Sequence, residues 1–177
     1  MHTVEAFLAV ADVLKDDKYR VRAGRIIGHV IDWAKNNNWN VTLNSDVTDL
    51  PDIIKKRYNI PEKWYTFISQ LKVCENQSAT KWFLTPNDYL PNENGFQWNE
   101  FEIQSIEYSE NNIDIISFWN KHLPIFLSVD GEYSYYAINT ETGEVVSGYE
   151  PEYEDTTIAA EDFSIFIDKI ISDEIIL

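Results

Sequence analysis

The stretch LPIFLSVDGEYSYYAINTETGEVVSGYE, residues 123 to 150, restricts the fold of this chain more than any other. Three apolar-rich runs, LPIFLSV, EYSYYAINT and EVVSGYE, are separated by Asp130-Gly131 and Thr142-Gly143. Glycine enters the positive-φ region that tight strand-to-strand turns need, so the pattern predicts three strands in a meander. Strands joined by connections this short pair antiparallel. Such a sheet must bury at least one face against something, and the rest of the chain supplies helices.

Helical spacing recurs in several places. Val4, Phe7, Leu8, Ala11 and Leu14 predict a first amphipathic helix, and Ile26, Ile27, Val30, Ile31 and Ala34 a second, ending before the NNNWN run. Asp49 is placed to cap a short third helix in LPDIIKKRY, with Pro51 near its first turn. A fourth starts at Pro61, where Trp64, Phe67, Ile68 and Leu71 fall on one face. KWFLT reads as a short strand and PNDYLPNENG as a loop. WNEFEIQSIEYSEN fits neither period cleanly and is read as helix. NIDIISFWNKHL is read as a helix buried through Ile113, Ile116 and Trp119. Phe163, Phe166, Ile167, Ile170 and Ile171 define a closing helix. The expected class is α+β, an antiparallel sheet packed by helices.

Charge is distributed unevenly. Residues 1–81 hold 12 Lys/Arg against 10 Asp/Glu, whereas residues 82–177 hold 2 against 20. An acidic half of this kind repels nucleic acid and anionic lipid and speeds encounter with a basic protein. Partners of the first two kinds are therefore not expected. With 44% hydrophobic and 14% aromatic residues the chain is outside the disordered range. A single cysteine, Cys74, forms no internal disulfide, which favours the cytoplasm. The start MHTVEAFLAVADVLKDD lacks a basic leader and carries Glu5 and Asp12 inside its apolar stretch, so no secretion signal is read there. The N-x-S/T matches at Asn40 and Asn76 then carry no meaning as glycosylation sites.

Residue patterns for chemistry are sparse. His2, His29 and His122 have no second ligand at metal spacing. Cys74 lacks an activating neighbour beyond Lys72. Asp88, Glu93, Glu100 and Glu102 form a candidate acid–base cluster, but chance supplies such groupings in a chain with 30 acids. EPEYED, residues 150–155, lacks the glycine and ligand spacing of a calcium loop. Arg22 and Arg25 resemble a phosphate-contacting stripe, yet Asp12, Asp16, Asp17 and Asp32 favour local pairing. The sequence thus leads to no catalytic residue, no cofactor and no metal, and the chain is read as a non-enzyme.

From Asp49 to Ile171 the order of elements resembles the SUKH superfamily of Smi/Knr-type domains. The resemblance is carried by YNIPEKWYTFISQL, by the strand run through GYEPEYE, and by TTIAAEDFSIFIDKII, an extended stretch followed by a helix. KVCENQSATKW stands where many members carry an Asn-Gly-Gly turn. The implied organisation is a helical extension, residues 1–48, before an α+β domain, residues 49–177. The implied function is an immunity protein that binds and neutralises a cognate toxin of nuclease or deaminase type. A regulatory adaptor in cell-wall signalling is the alternative. Residues expected at the interface are Tyr133 and Tyr135 on the hairpin, then Tyr149, Glu150, Glu152, Tyr153, Glu154 and Asp155. Pro151 argues against a continued central strand, so these acids are expected in a solvated rim with Tyr149 or Tyr153 as anchor.

Overall fold

In a computed structural model of the protein, residues 17–91, 95–109 and 112–177 are described, with the backbone alone over 17–25. The first predicted helix, His2, Glu93 and the Arg22 and Arg25 side chains lie outside these. The described elements are α1 (Asp17–Asn36), β1 (Trp39–Leu43), α2 (Asp52–Arg57), α3 (Glu62–Ile68), β2 (Leu71–Asn76) and β3 (Lys81–Phe83). They continue with α4 (Glu100–Tyr108), α5 (Asn112–Trp119), β4 (His122–Ser128), β5 (Ser134–Asn139), β6 (Val145–Tyr149), β7 (Thr157–Ala160) and α6 (Phe163–Ile171).

The seven described strands form one sheet in sequence order, each antiparallel to the next. The protein is therefore α+β, with an antiparallel sheet packed by helices. The three strands of the 123–150 run are where the sequence predicts them. Gly131 and Gly143 take φ of 79° and 87° in their turns, which explains why glycine stands there.

Side chains alternate between two covered faces. On one, Phe83, Phe126 and Tyr136 meet Phe67 of α3 and Phe166 of α6, with centroids 4.8–6.5 Å apart. On the other, Tyr135 packs on Trp119 of α5 and Phe101 of α4 at 5.1 and 5.9 Å. Adjacent tyrosines 135 and 136 thus serve opposite layers. Burial on both faces accounts for β4, whose residues His122 to Ser128 are all buried. The closing helix α6 is capped by Asp162, whose carboxylate accepts from the Ile165 N–H at 3.0 Å and from Lys63 Nζ at 2.6 Å.

Several expectations are corrected. Residues 39–43, placed in a helical extension, form the edge strand β1, and Trp39 packs on Phe83 and Phe126 at 6.2 Å each. Ile27, Val30, Trp33 and Ala34 of α1 enter the same core. Leu71 does not end α3. It opens β2, opposite Leu43, because Ser69 and Gln70 turn the chain into strand pairing. Asp49 does not cap α2, which follows Pro51 without a side-chain cap. Its carboxylate takes hydrogen bonds from Leu50 N–H, Lys55 Nζ and Tyr65 Oη instead. On α5, Ile113 and Ile116 face outward, while Ile115 and Phe118 pack against the core beside buried Trp119. That helix is apolar on more than one side, so its spacing did not single out the buried stripe.

Candidate protein-binding surface

The hairpin and the acidic run meet at one corner of the sheet. The β5–β6 ladder is extended by one step beyond Tyr149. Glu150 N–H donates to the Tyr133 carbonyl, and Tyr133 N–H donates to Glu150 Oε1, both at 2.9 Å. A glutamate at this place serves as a ladder partner through its side chain, which holds the Tyr133 ring at the sheet margin. The ring lies 6.3 Å from Phe96 and 6.2 Å from Phe101, and Phe96 in turn lies 5.8 Å from Trp82.

Tyr153 closes the corner from the inside. It is buried at 3% exposure and stacked on Phe101 at 4.6 Å. Its hydroxyl donates to Gln104 Oε1 at 3.0 Å, and Gln104 Nε2 reaches Glu100 Oε1 at 3.4 Å. Burial raises the Tyr153 phenol well above its ordinary value, and Glu150, Tyr133, Glu100 and Tyr108 act in the same direction.

The eight residues predicted to meet a partner divide into two sets. Tyr149, Glu152 and Asp155 are exposed, and Tyr133 and Glu150 are half-buried at the margin. Tyr135 and Tyr153 are not available as anchors. Tyr135 is 1% exposed and its hydroxyl donates to the Tyr153 carbonyl at 2.6 Å, so both belong to the core. Glu154 is half-buried and accepts from Trp119 Nε1 at 3.1 Å. Phe96, 36% exposed, and Tyr108, 87% exposed, join the surface without having been foreseen. Phe96 sits in a loop that has no period to mark it, and Tyr108 at a helix end where a core face would have stopped.

Among the described residues, no lysine or arginine pairs with Glu100, Glu150, Glu152, Glu154 or Asp155. The two bases of the acidic half are engaged elsewhere, Lys121 with Glu141 at 3.0 Å and Lys169 with the Ala159 carbonyl at 2.8 Å.

The other candidate groups have separate structural partners. Asp88 accepts from the Thr85 N–H and hydroxyl, each at 2.7 Å, closing a turn. Glu102 takes a two-pronged hydrogen bond from Arg57 at 2.7 and 2.9 Å. Arg57 also lies 5.1 Å from the Tyr58 ring centroid and 5.8 Å from that of Trp98. Burial pushes the Cys74 thiol up to about 12, so it is held as an unreactive thiol. His29 is exposed, and His122 is stacked on Phe118 at 3.9 Å. No cluster of three metal-ligating side chains is found among the described residues. An open groove of about 330 Å³ is lined by Asp49, Leu50, Lys55, Ile60, Glu62 and Tyr65. Its polar rim is self-paired through Asp49, whose carboxyl is held below its usual range by Lys55 first and Tyr65 second. No helix among the described residues is long and apolar enough to cross a membrane.

A family model described as N-acylglucosamine 2-epimerase (GlcNAc 2-epimerase) matches residues 1–57. No curated protein and no solved structure matches the chain. The family match corrects two expectations. It falls on a different family from SUKH, over the segment that the SUKH resemblance left mostly uncovered, and that family is one of enzymes. The order of strands and helices that suggested SUKH is a property of a strand meander with a closing helix, which a physical pattern can produce without common descent.

Proposed function

We propose that this protein binds a basic protein through the corner formed by Tyr133, Phe96, Tyr108 and the acids around them, and holds that partner's activity in check by covering it. The observation that carries this reading is the set of exposed and half-buried aromatic side chains among carboxylates with which no lysine or arginine of the described residues pairs. A toxin domain of nuclease or deaminase type is the partner class that this chemistry suits, because its own substrate is a polyanion that an acidic cover would displace. Nucleic acid and anionic membranes are repelled by the same charge. A single buried cysteine supports a reducing compartment, the cytoplasm.

The test is co-expression with the product of an adjacent gene that carries a basic, growth-arresting domain. Relief of the arrest, together with a complex whose association rate falls steeply with salt, is the expected result. Growth arrest unchanged despite a stable complex makes the protein an adaptor rather than an inhibitor. No complex with any such domain removes the reading.

A second reading rests on the family match alone: epimerisation at C2 of an N-acylglucosamine. Incubating the protein with N-acetylglucosamine and following the C2 epimer by NMR tests it. Absence of product after long incubation at high enzyme concentration overturns it.

A further inference from the structure

Resting on the basic-partner reading, we infer that the corner contains a subsite for an arginine side chain of the partner, bounded by the rings of Phe96 and Tyr133 and the carboxylate of Glu150. The protein already holds one arginine by the same chemistry. Arg57 is set against the rings of Tyr58 and Trp98 and is gripped at both guanidinium ends by Glu102. The corner offers the same ingredients, and no lysine or arginine of the described residues pairs with its carboxylates.

Geometry brings the parts together. Phe96 and Tyr133 meet edge to face at 6.3 Å with an interplanar angle of 77°, and Phe96 remains 36% exposed with Trp82 and Phe101 also packed on it. Glu150 uses one carboxylate oxygen on the Tyr133 N–H, which ties the carboxylate to the Tyr133 backbone and leaves the second oxygen for a ligand. Glu100 is tied to the same corner through Gln104 and Tyr153. An exposed ring beside a fixed carboxylate favours a planar guanidinium over an ammonium, since only the former stacks and bonds in a plane at once. The occupant is therefore an arginine on a basic protein loop, selected by charge and by shape.

The probes are octa-arginine and octa-lysine peptides, equal in length and charge, titrated against the full chain at two salt concentrations. The arginine peptide is expected to bind about fivefold more tightly, the worth of a cation–π contact at a partly exposed ring. Phe96→Leu keeps the apolar bulk and removes the π face, and Glu150→Gln keeps an acceptor for the Tyr133 N–H. Each should bring the two peptides close to parity while keeping a cooperative thermal melt, with a slightly lower midpoint for Phe96→Leu through its lost ring contacts. Equal binding of the two peptides to the unaltered protein overturns the subsite and leaves the basic-partner reading standing. A preference that survives both substitutions places the arginine elsewhere and also overturns it. Binding of neither peptide at low salt overturns the subsite and the basic-partner reading together.

Discussion

Gly148 shows what a single position decides in this sheet. It pairs directly with Tyr135 across β5 and β6, and a Cβ built on it would lie 2.6 Å from that ring. The ring cannot retreat, because its hydroxyl is bonded to the Tyr153 carbonyl at 2.6 Å. Gly148→Ala should therefore cost about 1–3 kcal/mol in urea unfolding, the usual penalty for overpacking. Combining it with Tyr135→Leu should cost less than the sum of the two single changes, because the collision is then gone. Arg57 and Glu102 make a second residue-scale case. Their side chains are 19% and 10% exposed, so Glu102→Gln strands a guanidinium that is mostly out of water. A loss of about 3 kcal/mol is expected, the low end for a broken buried pair. Replacing both by Met and Leu should recover most of it, and denaturation curves of the three variants measure the difference.

At the scale of elements, the α5–β4 junction carries a pH dependence. His122 begins β4, stacks on Phe118 of α5, and shares a 2.8 Å hydrogen bond between Nδ1 and the Phe118 carbonyl. Burial holds its pKa below the ordinary 6.5. The Phe118 carbonyl opposes burial, Lys121 lowers the value further, and Glu141 raises it least. The unfolded chain then takes up the proton first as pH falls. Stability from this site is complete above 6.5 and is lost as pH drops through the lower folded value. Chemical denaturation across pH 7.5 to 5 should show that loss, and His122→Gln should flatten it (both limits are roughly a unit either side of 6.5). Asp49 and Asp162 have lowered pKa values, so their loss begins only below the ordinary carboxylate value of 3.8 and is separable from the histidine step.

Across the whole molecule, the sheet joins segments far apart in the chain. β1 and β2 pair over five positions, from Trp39 opposite Asn76 to Leu43 opposite Leu71. Trp33 and Trp39 meet at 5.3 Å, and Trp39 covers Phe83 and Phe126. Deleting residues 1–44 decides whether residues 49–177 fold alone. With the edge strand and these indoles removed, β2 becomes an exposed edge over an uncovered aromatic core. The expected product is an aggregating or loosely packed chain, read by size-exclusion chromatography and near-UV circular dichroism. A monodisperse product with a cooperative melt would place the domain boundary after β1.

Local chemistry was enough to read the meander and the closing helix from the sequence. Glycine at 131 and 143 meets a positive φ, alternation along EYSYYAINT sends neighbours to opposite layers, and the α6 stripe repeats every three to four residues. The uneven charge was legible in the same way, because counting acids needs no coordinates. Tertiary packing alone decided three things. β1 alternates Trp39, Val41 and Leu43 with Asn40 and Thr42, a strand pattern in the sequence itself, and what packing decided is that β2 lies beside it. The outward side of α5 was chosen by the neighbours that Trp119 and Phe118 meet, since its five apolar residues cover more than one side of the helix and Asn112, Asp114 and Ser117 do not by themselves select which apolar residues are buried. Tyr133, Tyr135, Tyr149 and Tyr153 look alike in the sequence, yet two are core and two lie at the surface. What separates them is whether a hydroxyl finds a buried acceptor, as Tyr135 does in the Tyr153 carbonyl and Tyr153 in Gln104. Those acceptors are 18 and 49 residues away along the chain, beyond the reach of any local period.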